Sequence, residues 1–324
     1  MDFSGKLVLI TGSSGFIGNH VCQSLLKSGA HVRALVRGRG PSGSSHNKNL
    51  EYSAGDLLDS NSLERACENV DAIVHLGGIS HSSTWDHEIL INTNINGTKS
   101  LLSAAVLKGV KKFIFISSSL AAAGVRGNRP ITEYGNSKLQ AEKLVLEENR
   151  KGSIDSVVLR PVNVYGRGMR GNIASLISLI SRRLVPRLPE LRNPISLVGV
   201  GDLCVAIELC LNSNKASGRV YFVTDGEEYT VSGIESGIYR ALGREEPKLR
   251  LSRSMVYTCV IALSSVNNLL KFFKKRCPLI QGISLRTYHN LVDESLYDNS
   301  EICEELGFTP KSKFYSSLPK ILNS

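Results

Sequence analysis

The sequence predicts an α/β fold, a doubly wound parallel sheet with helices on both faces and a smaller, partly interleaved C-terminal lobe. Three observations predict it. Short apolar runs alternate with stretches of helical spacing, and a glycine-rich turn joins the first apolar run to the first helix. The 324 residues, 42% hydrophobic and 21% charged, are also enough for about two domains with a sizeable core. Strands that alternate with helices return to one sheet by crossovers, which make neighbouring strands parallel.

The elements follow in order. Lys6 to Ile10 is an apolar strand, and the turn TGSSGFIG (Thr11 to Gly18) leads into a helix over Phe16 to Lys27, whose Ile17, Val21, Leu25 and Leu26 share one face. Gly29 ends that helix. Val32 to Val36, Leu50 to Ala54, Ala72 to Leu76, Phe113 to Ile116, Val157 to Leu159 and Val220 to Val223 read as further strands. Gly38 to Lys48, rich in Gly and Ser, reads as a flexible insert. From Arg167 the rhythm loosens, with prolines at 186, 189 and 194 and helical pieces near 201–212 and 231–242. The expected division is a dinucleotide-binding domain over 1–166, with later strands near 195–223 returning to it, and a mainly substrate-binding lobe over 167–324.

Thirty-nine Lys and Arg against 29 Asp and Glu give a net charge of +10. Such a balance suits nucleic acid, an anionic membrane face or an anionic small ligand. With one Trp and no basic run longer than Lys274 to Arg276, nucleic acid is not expected. The seven scattered cysteines have no C-x-x-C pair or ligand-spaced His, so reduced thiols in a cytoplasmic protein are expected, and no metal. The N-terminal apolar run is too short for a signal segment. Met255 to Phe273 is largely apolar and runs into Lys274, Lys275 and Arg276, with Lys271 just inside it. Ser264-Ser265 and Asn267-Asn268 argue against a membrane span, which leaves a packed helix or a membrane-surface helix over 255–276.

Gly12, Gly15 and Gly18 form G-x-x-G-x-x-G between a strand and a helix, the context in which backbone amides and a helix N-terminus meet a pyrophosphate. This makes the sheet Rossmann-type. Ser14, Phe16 and Ile17 of the same turn join the candidate set. Asp56 and Leu57 end the third strand, where a carboxylate can accept from an adenine amine, and Leu76, Gly77 and Gly78 end the fourth. The second strand ends in Val36, Arg37, Gly38 and Arg39, with guanidiniums and no carboxylate. A 2′-phosphate fits there, so NADP(H) is the preferred cofactor and NAD(H) the alternative.

Tyr134 and Lys138, in Y-x-x-x-K, fall one turn apart on a helix. A phenol needs nearby positive charge before it exchanges protons near neutral pH, and Lys138 can supply it. Ser117, Ser118 and Ser119 end the apolar strand before it, where a hydroxyl can bond the reacting substrate oxygen.

With these residues in view, the chain resembles the extended short-chain dehydrogenase/reductases, the nucleotide-sugar epimerase/dehydratase group. The likeness covers nearly the whole length, through TGSSGFIG, HLGG, NTNINGT, FISSS, YGNSK, LRPVNVYG, DGEEYT and LGF. The resemblance implies Ser119 as the hydroxyl partner, Tyr134 as acid/base and Lys138 as its helper. It also implies Asn94 and Ser117 on the cofactor side, Arg160 and Pro161 along the nicotinamide, and Asn163 and Asn172 toward the substrate diphosphate. VYGRGMRGNIASLISLI, NPISLV and VTDGEEYTVSG are most similar to bacterial 4-reductases of UDP-4-keto-6-deoxy sugars of the N-acetylquinovosamine and N-acetylfucosamine type. These are cytoplasmic enzymes of O-antigen and lipopolysaccharide precursor supply. A nucleotide-sugar partner and a homodimer are further implications of the likeness.

The departures discriminate. Dehydratases of the group carry carboxylates directly after the hydroxyl residue, where this chain has Leu120 and Ala121, so elimination is not expected. Ile195 stands where an arginine is common, with Arg192 close by as the candidate phosphate contact. The loop from Gly124 to Tyr134 is short. The expected activity is NADPH-dependent reduction of a nucleotide-linked 4-ketone. A UDP-sugar 4-epimerase with tightly bound NAD and a reductase of a steroid-like or flavonoid-like ketone stay open, as does a non-enzymatic dinucleotide-binding relative. His20 and His75 read as packing or polar-core residues, Cys204 and Cys210 as core thiols, and Trp85, His81 and His87 as a solvated loop or a pocket wall.

Overall fold

The computed structural model describes residues 3–38, 47–79, 87–122, 132–184, 186–272 and 295–322, and only the backbone of 267–272. Arg39, His81, Trp85, most of the Gly38–Lys48 insert, most of the loop before Tyr134 and the run Lys274 to Arg276 lie outside the described residues. The sheet has seven strands, β1 (Leu7–Thr11), β2 (His31–Val36), β3 (Leu50–Ala54), β4 (Ala72–His75), β5 (Lys112–Ile116), β6 (Asp155–Pro161) and β9 (Val220–Val223). They run in the order β3-β2-β1-β4-β5-β6-β9, all parallel, with Val8 beside both Val32 and Ala72. The α/β reading of the sequence therefore holds.

The near-continuous apolar strands follow from burial on both faces. Val8, Ile10, Val74, Ile114 and Leu159 pack on one side with α1 (Phe16–Lys27) and α7 (Val200–Asn212). Leu9, Ile73, Phe113, Phe115 and Val158 pack on the other, under α2 (Ser60–Ala66), α4 (Gly97–Leu107) and α5 (Glu133–Arg150). Between α3 (His87–Ile91) and α4 the chain makes a π-helical turn over Asn92–Asn96. The chain order runs outward from β1 in both directions, so the carboxyl ends of β1 and β4 flank the switch point where this class of sheet holds ligands.

The chain forms two compact units. The first comprises Met1–Val164, Val198–Asp225 and Tyr297–Lys311, including α10 (Ser300–Leu306); the second comprises Tyr165–Leu197, Gly226–Leu296 and Ser312–Ser324. The second unit has its own core of Tyr165, Leu176, Ile180, Leu197, Ile234, Ile238, Phe314 and Leu318. Its helices are α6 (Asn172–Ser181), α8 (Val231–Ala241), α9 (Arg253–Phe272) and α11 (Phe314–Leu322). A second sheet, of β7 (Asn163–Tyr165), β8 (Pro194–Gly199) and β10 (Glu228–Thr230), has the order β10-β8-β7; the strand expected near 195 is β8, which lies in this sheet and not in the seven-stranded one, and β7 and β10 went unread in the sequence. At three residues each, these two carry too little periodicity to signal themselves.

Cys22, Cys67, Cys204 and Cys210 are buried free thiols, each pushed up to about 12 chiefly by burial, so all four are inert core residues, as expected of Cys204 and Cys210.

Candidate active site

The first unit gathers the predicted cofactor turn and the Tyr-Lys helix at the carboxyl edge of its sheet. The chain leaves β1 at Thr11 and turns at Gly12, whose φ of +69° suits glycine. A Cβ at Gly12 would lie 2.8 Å from the Leu76 carbonyl, and one at Gly18 only 2.1 Å from the Gly12 oxygen. Only hydrogen side chains allow this turn to pass so close to the end of β4. Helix α1 begins with Gly15 as N-cap, no side-chain cap and no acidic residue in its first turn. Its leading amides are thus without a side-chain acceptor, and an anion is the complement of that end. The turn fits a dinucleotide pyrophosphate, with Ser14 and Gly15 exposed beside it.

Around the turn, Ser13 donates to the Leu35 carbonyl at 3.0 Å, tying the loop to β2. Arg37 follows β2 and is exposed. The Asp56 carboxylate accepts from the Leu58 amide at 2.9 Å, and the Asp56 amide donates to Ser62 at 3.1 Å. One Asp56 oxygen is therefore engaged in its own turn. Leu57 packs against Gly77 and Gly97.

His75 is a hydrogen-bonded polar residue of the core. The Gly77 amide donates to Thr11 Oγ1 at 2.9 Å, and Thr11 Oγ1 lies 2.6 Å from His75 Nδ1. On the other side His75 Nε2 lies 3.0 Å from Thr98 Oγ1, which donates to the Asn94 carbonyl at 2.6 Å. Because the Thr98 proton is committed to that carbonyl, His75 must carry its proton on Nε2 and accept at Nδ1. The ring is fully buried and neutral, its pKa lowered to about 3 by burial first and by Lys138 second. It joins β1, the Gly77 turn and the π turn in one hydrogen-bonded chain.

Asn94 is buried in that π turn and makes a two-way bond with the Ile79 backbone, at 2.8 and 3.1 Å, while its Nδ2 also donates to Ser137 at 3.0 Å. Expected on the cofactor side, Asn94 spends its amide holding the exit of β4 to helix α5.

Thr132 caps α5 by accepting from the Gly135 amide at 2.9 Å. This sets Tyr134 and Lys138 one turn apart at its start. Lys138 is buried; its Nζ donates to the Ile116 carbonyl at 2.9 Å and lies 4.6 Å from the Phe115 ring. Burial lowers its pKa to about 8, against the opposing pull of Glu142. The Tyr134 phenol is densely surrounded by protein although the residue is partly exposed, and burial pushes it up to about 12. Its side-chain hydrogen bond comes from Ser118 and acts in the other direction.

That bond falls on Ser118, whereas the family likeness assigned the hydroxyl role to Ser119. Ser119 is buried at the head of a 3₁₀ turn (Ser119–Ala122), and its carbonyl accepts from Tyr297 at 3.3 Å. Ser117, expected toward the cofactor, instead donates to Glu142 at 2.5 Å. Glu142 is 1% exposed and also takes Arg160 in two bonds, Nε at 2.9 Å and Nη2 at 2.6 Å, with the guanidinium 5.4 Å from the Phe222 ring centroid. Arg160, expected along the nicotinamide, is thus the internal counter-charge of a buried carboxylate. Ser118 was expected only as one of three adjacent serines, and Glu142 was not among the expected site residues. Glu142 could have been found four residues after Lys138, on the same helix face.

Pro161 is the buried end of β6, and Asn163, at the start of β7, is exposed. In the second unit Asn172 opens α6, Arg192 is 81% exposed and pairs with Glu190 at 2.6 Å, and Ile195 is buried in β8. Among the described residues, no group of three or more His, Cys, Asp or Glu could hold a metal ion.

Residues 8–223 match the profile of the NAD dependent epimerase/dehydratase family. The chain is 32% identical over 263 residues to a UDP-glucose 4-epimerase of Vibrio cholerae, covering 76% of this chain and 78% of the relative. It is 26% identical over 330 residues to a 3-beta-hydroxysteroid dehydrogenase of Mycolicibacterium neoaurum, covering 94% and 87%. Among solved structures, MoeE5 in complex with UDP-glucose and NAD superposes with a TM-score of 0.75 at 25% identity, over 98% of both chains.

Proposed function

The chain belongs to the NAD dependent epimerase/dehydratase family, and from that premise we propose that it reduces the C4 ketone of a nucleotide-linked 4-keto-6-deoxy-N-acetylhexosamine. The nucleotide in this reading is UDP, the reductant is NADPH, and the product is a surface-polysaccharide precursor. The observation that carries the reading is the phenol of Tyr134, kept protonated by burial, bonded to Ser118 and one helical turn from the ammonium of Lys138. A protonated phenol is equipped to donate, and ketone reduction ends with a proton moving to an alkoxide.

The amides of the Gly12–Gly18 turn and the N-terminus of α1 would hold the pyrophosphate, and Arg37 the 2′-phosphate. When bound, NADPH supplies the hydride for C4. Tyr134 gives its proton to the C4 oxygen. Ser118 and the Lys138 charge stabilise the phenolate left behind, and the low-dielectric surroundings strengthen both effects. The Glu142–Arg160 pair fixes the helix face that carries Lys138. Leu120 and Ala121 offer no carboxylate for elimination.

A second reading, UDP-sugar 4-epimerase with bound NAD, is favoured by the name of the Vibrio cholerae relative. One experiment separates the two. The chain is incubated with NADPH and the product of a UDP-GlcNAc 4,6-dehydratase, and reduced-nicotinamide absorbance is followed, with the C4 configuration then determined by NMR. Stoichiometric oxidation of NADPH supports the reductase. No oxidation there, with interconversion of UDP-hexoses on sub-stoichiometric NAD, establishes the epimerase instead.

A further inference from the structure

The turn that carries Ser118 is gripped from two sides. Within it the Leu120 amide donates to Ser118 Oγ at 3.2 Å, and the Ala121 amide donates to the Ser118 carbonyl at 3.0 Å. Helix α5 closes on one side: a Cβ at Gly135 would lie 2.3 Å from the Leu120 carbonyl oxygen, so the start of the helix and the turn meet backbone to backbone. On the other side the phenol of Tyr297 donates to the Ser119 carbonyl at 3.3 Å.

Tyr297 arrives from far along the chain, at the point where the chain re-enters the first unit after Gly226–Leu296. Its ring is held in place. It stacks on Phe222 with centroids 4.9 Å apart and planes at 24°, and Phe222 in turn lies 5.4 Å from the guanidinium of Arg160. Two residues on, Asn299 donates to the Thr224 carbonyl at 3.0 Å and ties the same segment down beyond the end of β9.

The Ser119 carbonyl and the Leu120 amide are the two ends of one planar peptide unit. A donor on the carbonyl fixes the direction of the amide at the other end. It also polarises the peptide, which makes the Leu120 N–H a stronger donor, because hydrogen bonds in a chain strengthen one another. That N–H is the group that bonds Ser118. Ser118 has one proton, and with its oxygen accepting from Leu120 that proton is available to the phenolate oxygen of Tyr134. Four groups therefore form one directed chain: Tyr297 hydroxyl, the Ser119–Leu120 peptide, Ser118 hydroxyl and Tyr134.

We propose that Tyr297 is a positioning residue of the acid/base site, acting through the Ser119–Leu120 peptide to set Ser118 as the donor that stabilises Tyr134 once its proton has left. This role rests on the reading of Tyr134 as the acid/base, and it is the same for ketone reduction and for 4-epimerisation, which both pass a proton through that phenol.

The test is Tyr297→Phe in the full chain, which keeps the ring on Phe222 and removes only the hydroxyl. The protein is labelled with 3-fluorotyrosine, whose phenol is more acidic than that of tyrosine, and the fluorine NMR signal of residue 134 is identified by its loss in Tyr134→Phe and then titrated. The ionisable groups around this corner, His75 on β4, Lys138 and Glu142 on α5 and Arg160 on β6, are the same in every variant. Tyr297→Phe should lower the ionisation constant of that phenol about two- to tenfold, the worth of one hydrogen bond. In a Ser118→Ala background, where the chain has already lost a member, the same substitution should change it by less than about twofold, the scatter expected of uncoupled sites. With NADPH and the product of a UDP-GlcNAc 4,6-dehydratase, or with UDP-hexoses and NAD, kcat should fall by a similar factor while KM stays in place. An ionisation constant unmoved by Tyr297→Phe, or moved as far without Ser118 as with it, would overturn the proposal and leave Tyr297 a brace of the fold. Full turnover by Tyr134→Phe would overturn the acid/base reading itself, a separate result that the titration does not produce.

Discussion

Replacing Glu142 by Gln separates the structural from the chemical part of the active-site helix. In the folded chain Glu142 is 1% exposed and is the counter-charge of Arg160, whose side chain is 17% exposed, while Ser117 donates to it. Glutamine keeps the shape and one carbonyl acceptor but removes the charge, leaving the guanidinium largely buried without a counter-ion. Removing one partner of a buried pair costs about 3–5 kcal/mol, and the retained hydrogen bond with the partial exposure of Arg160 points to the lower end, about 3 kcal/mol. That is roughly a hundredfold in the folding equilibrium. The charge also raises the Lys138 pKa, so in Glu142→Gln the lysine titrates below about 8. The variant should therefore show a lower denaturation midpoint, and a kcat/KM that declines at lower pH than in the parent. Adding Arg160→Met should restore most of the stability, since no uncompensated charge remains, but should leave the pH profile displaced. A Glu142→Gln variant as stable as the parent with an unmoved profile would refute the assignment.

The remaining predictions follow from the same network. Ser118→Ala should raise the Tyr134 pKa further, read by ultraviolet difference titration, whereas Ser119→Ala should leave it in place; the opposite ranking would return the hydroxyl role to Ser119. His75 has its folded pKa depressed, so its contribution to stability is present above the unfolded pKa near 6.5 and is lost as pH falls toward 3. By pH 5 this amounts to about 2 kcal/mol, a slope that His75→Gln should remove from denaturation curves. Gly18→Ala would place a Cβ 2.1 Å from the Gly12 oxygen, and calorimetry should show dinucleotide affinity at least about tenfold weaker. Arg37→Asp should turn the preference from NADPH toward NADH, measured as the ratio of the two kcat/KM values; an unchanged ratio would show Arg37 to be a solvated loop charge.

Much of the first unit was legible because its signals are local. The strand-glycine-helix run at 7–27 declares itself through residue type, since no other side chain fits a turn against the Leu76 carbonyl. Tyr134 and Lys138 are visible because four residues make one helical turn. The partners of these groups were not legible. Ser117, Ser118 and Ser119 are one chemical type in adjacent positions, and only the path of the chain out of β5 sends the first to Glu142, the second to Tyr134 and the third into a 3₁₀ turn. Arg160 read as an available charge for a ligand because pairing across 18 residues leaves no trace in spacing.

Sequence alone was sufficient for the parallel sheet, the glycine turn after the first strand and the one-turn spacing of Tyr134 and Lys138, because each depends on residue type and short-range periodicity. Tertiary structure decided what each polar group is committed to. It gave His75 its partners as a neutral hydrogen-bonded link of the core, and it showed the internal bonds that Asn94 makes to Ile79 and Ser137 and that Arg160 makes to Glu142. Burial and pairing are properties of what surrounds a side chain in space, and residues far apart in the chain supply those surroundings.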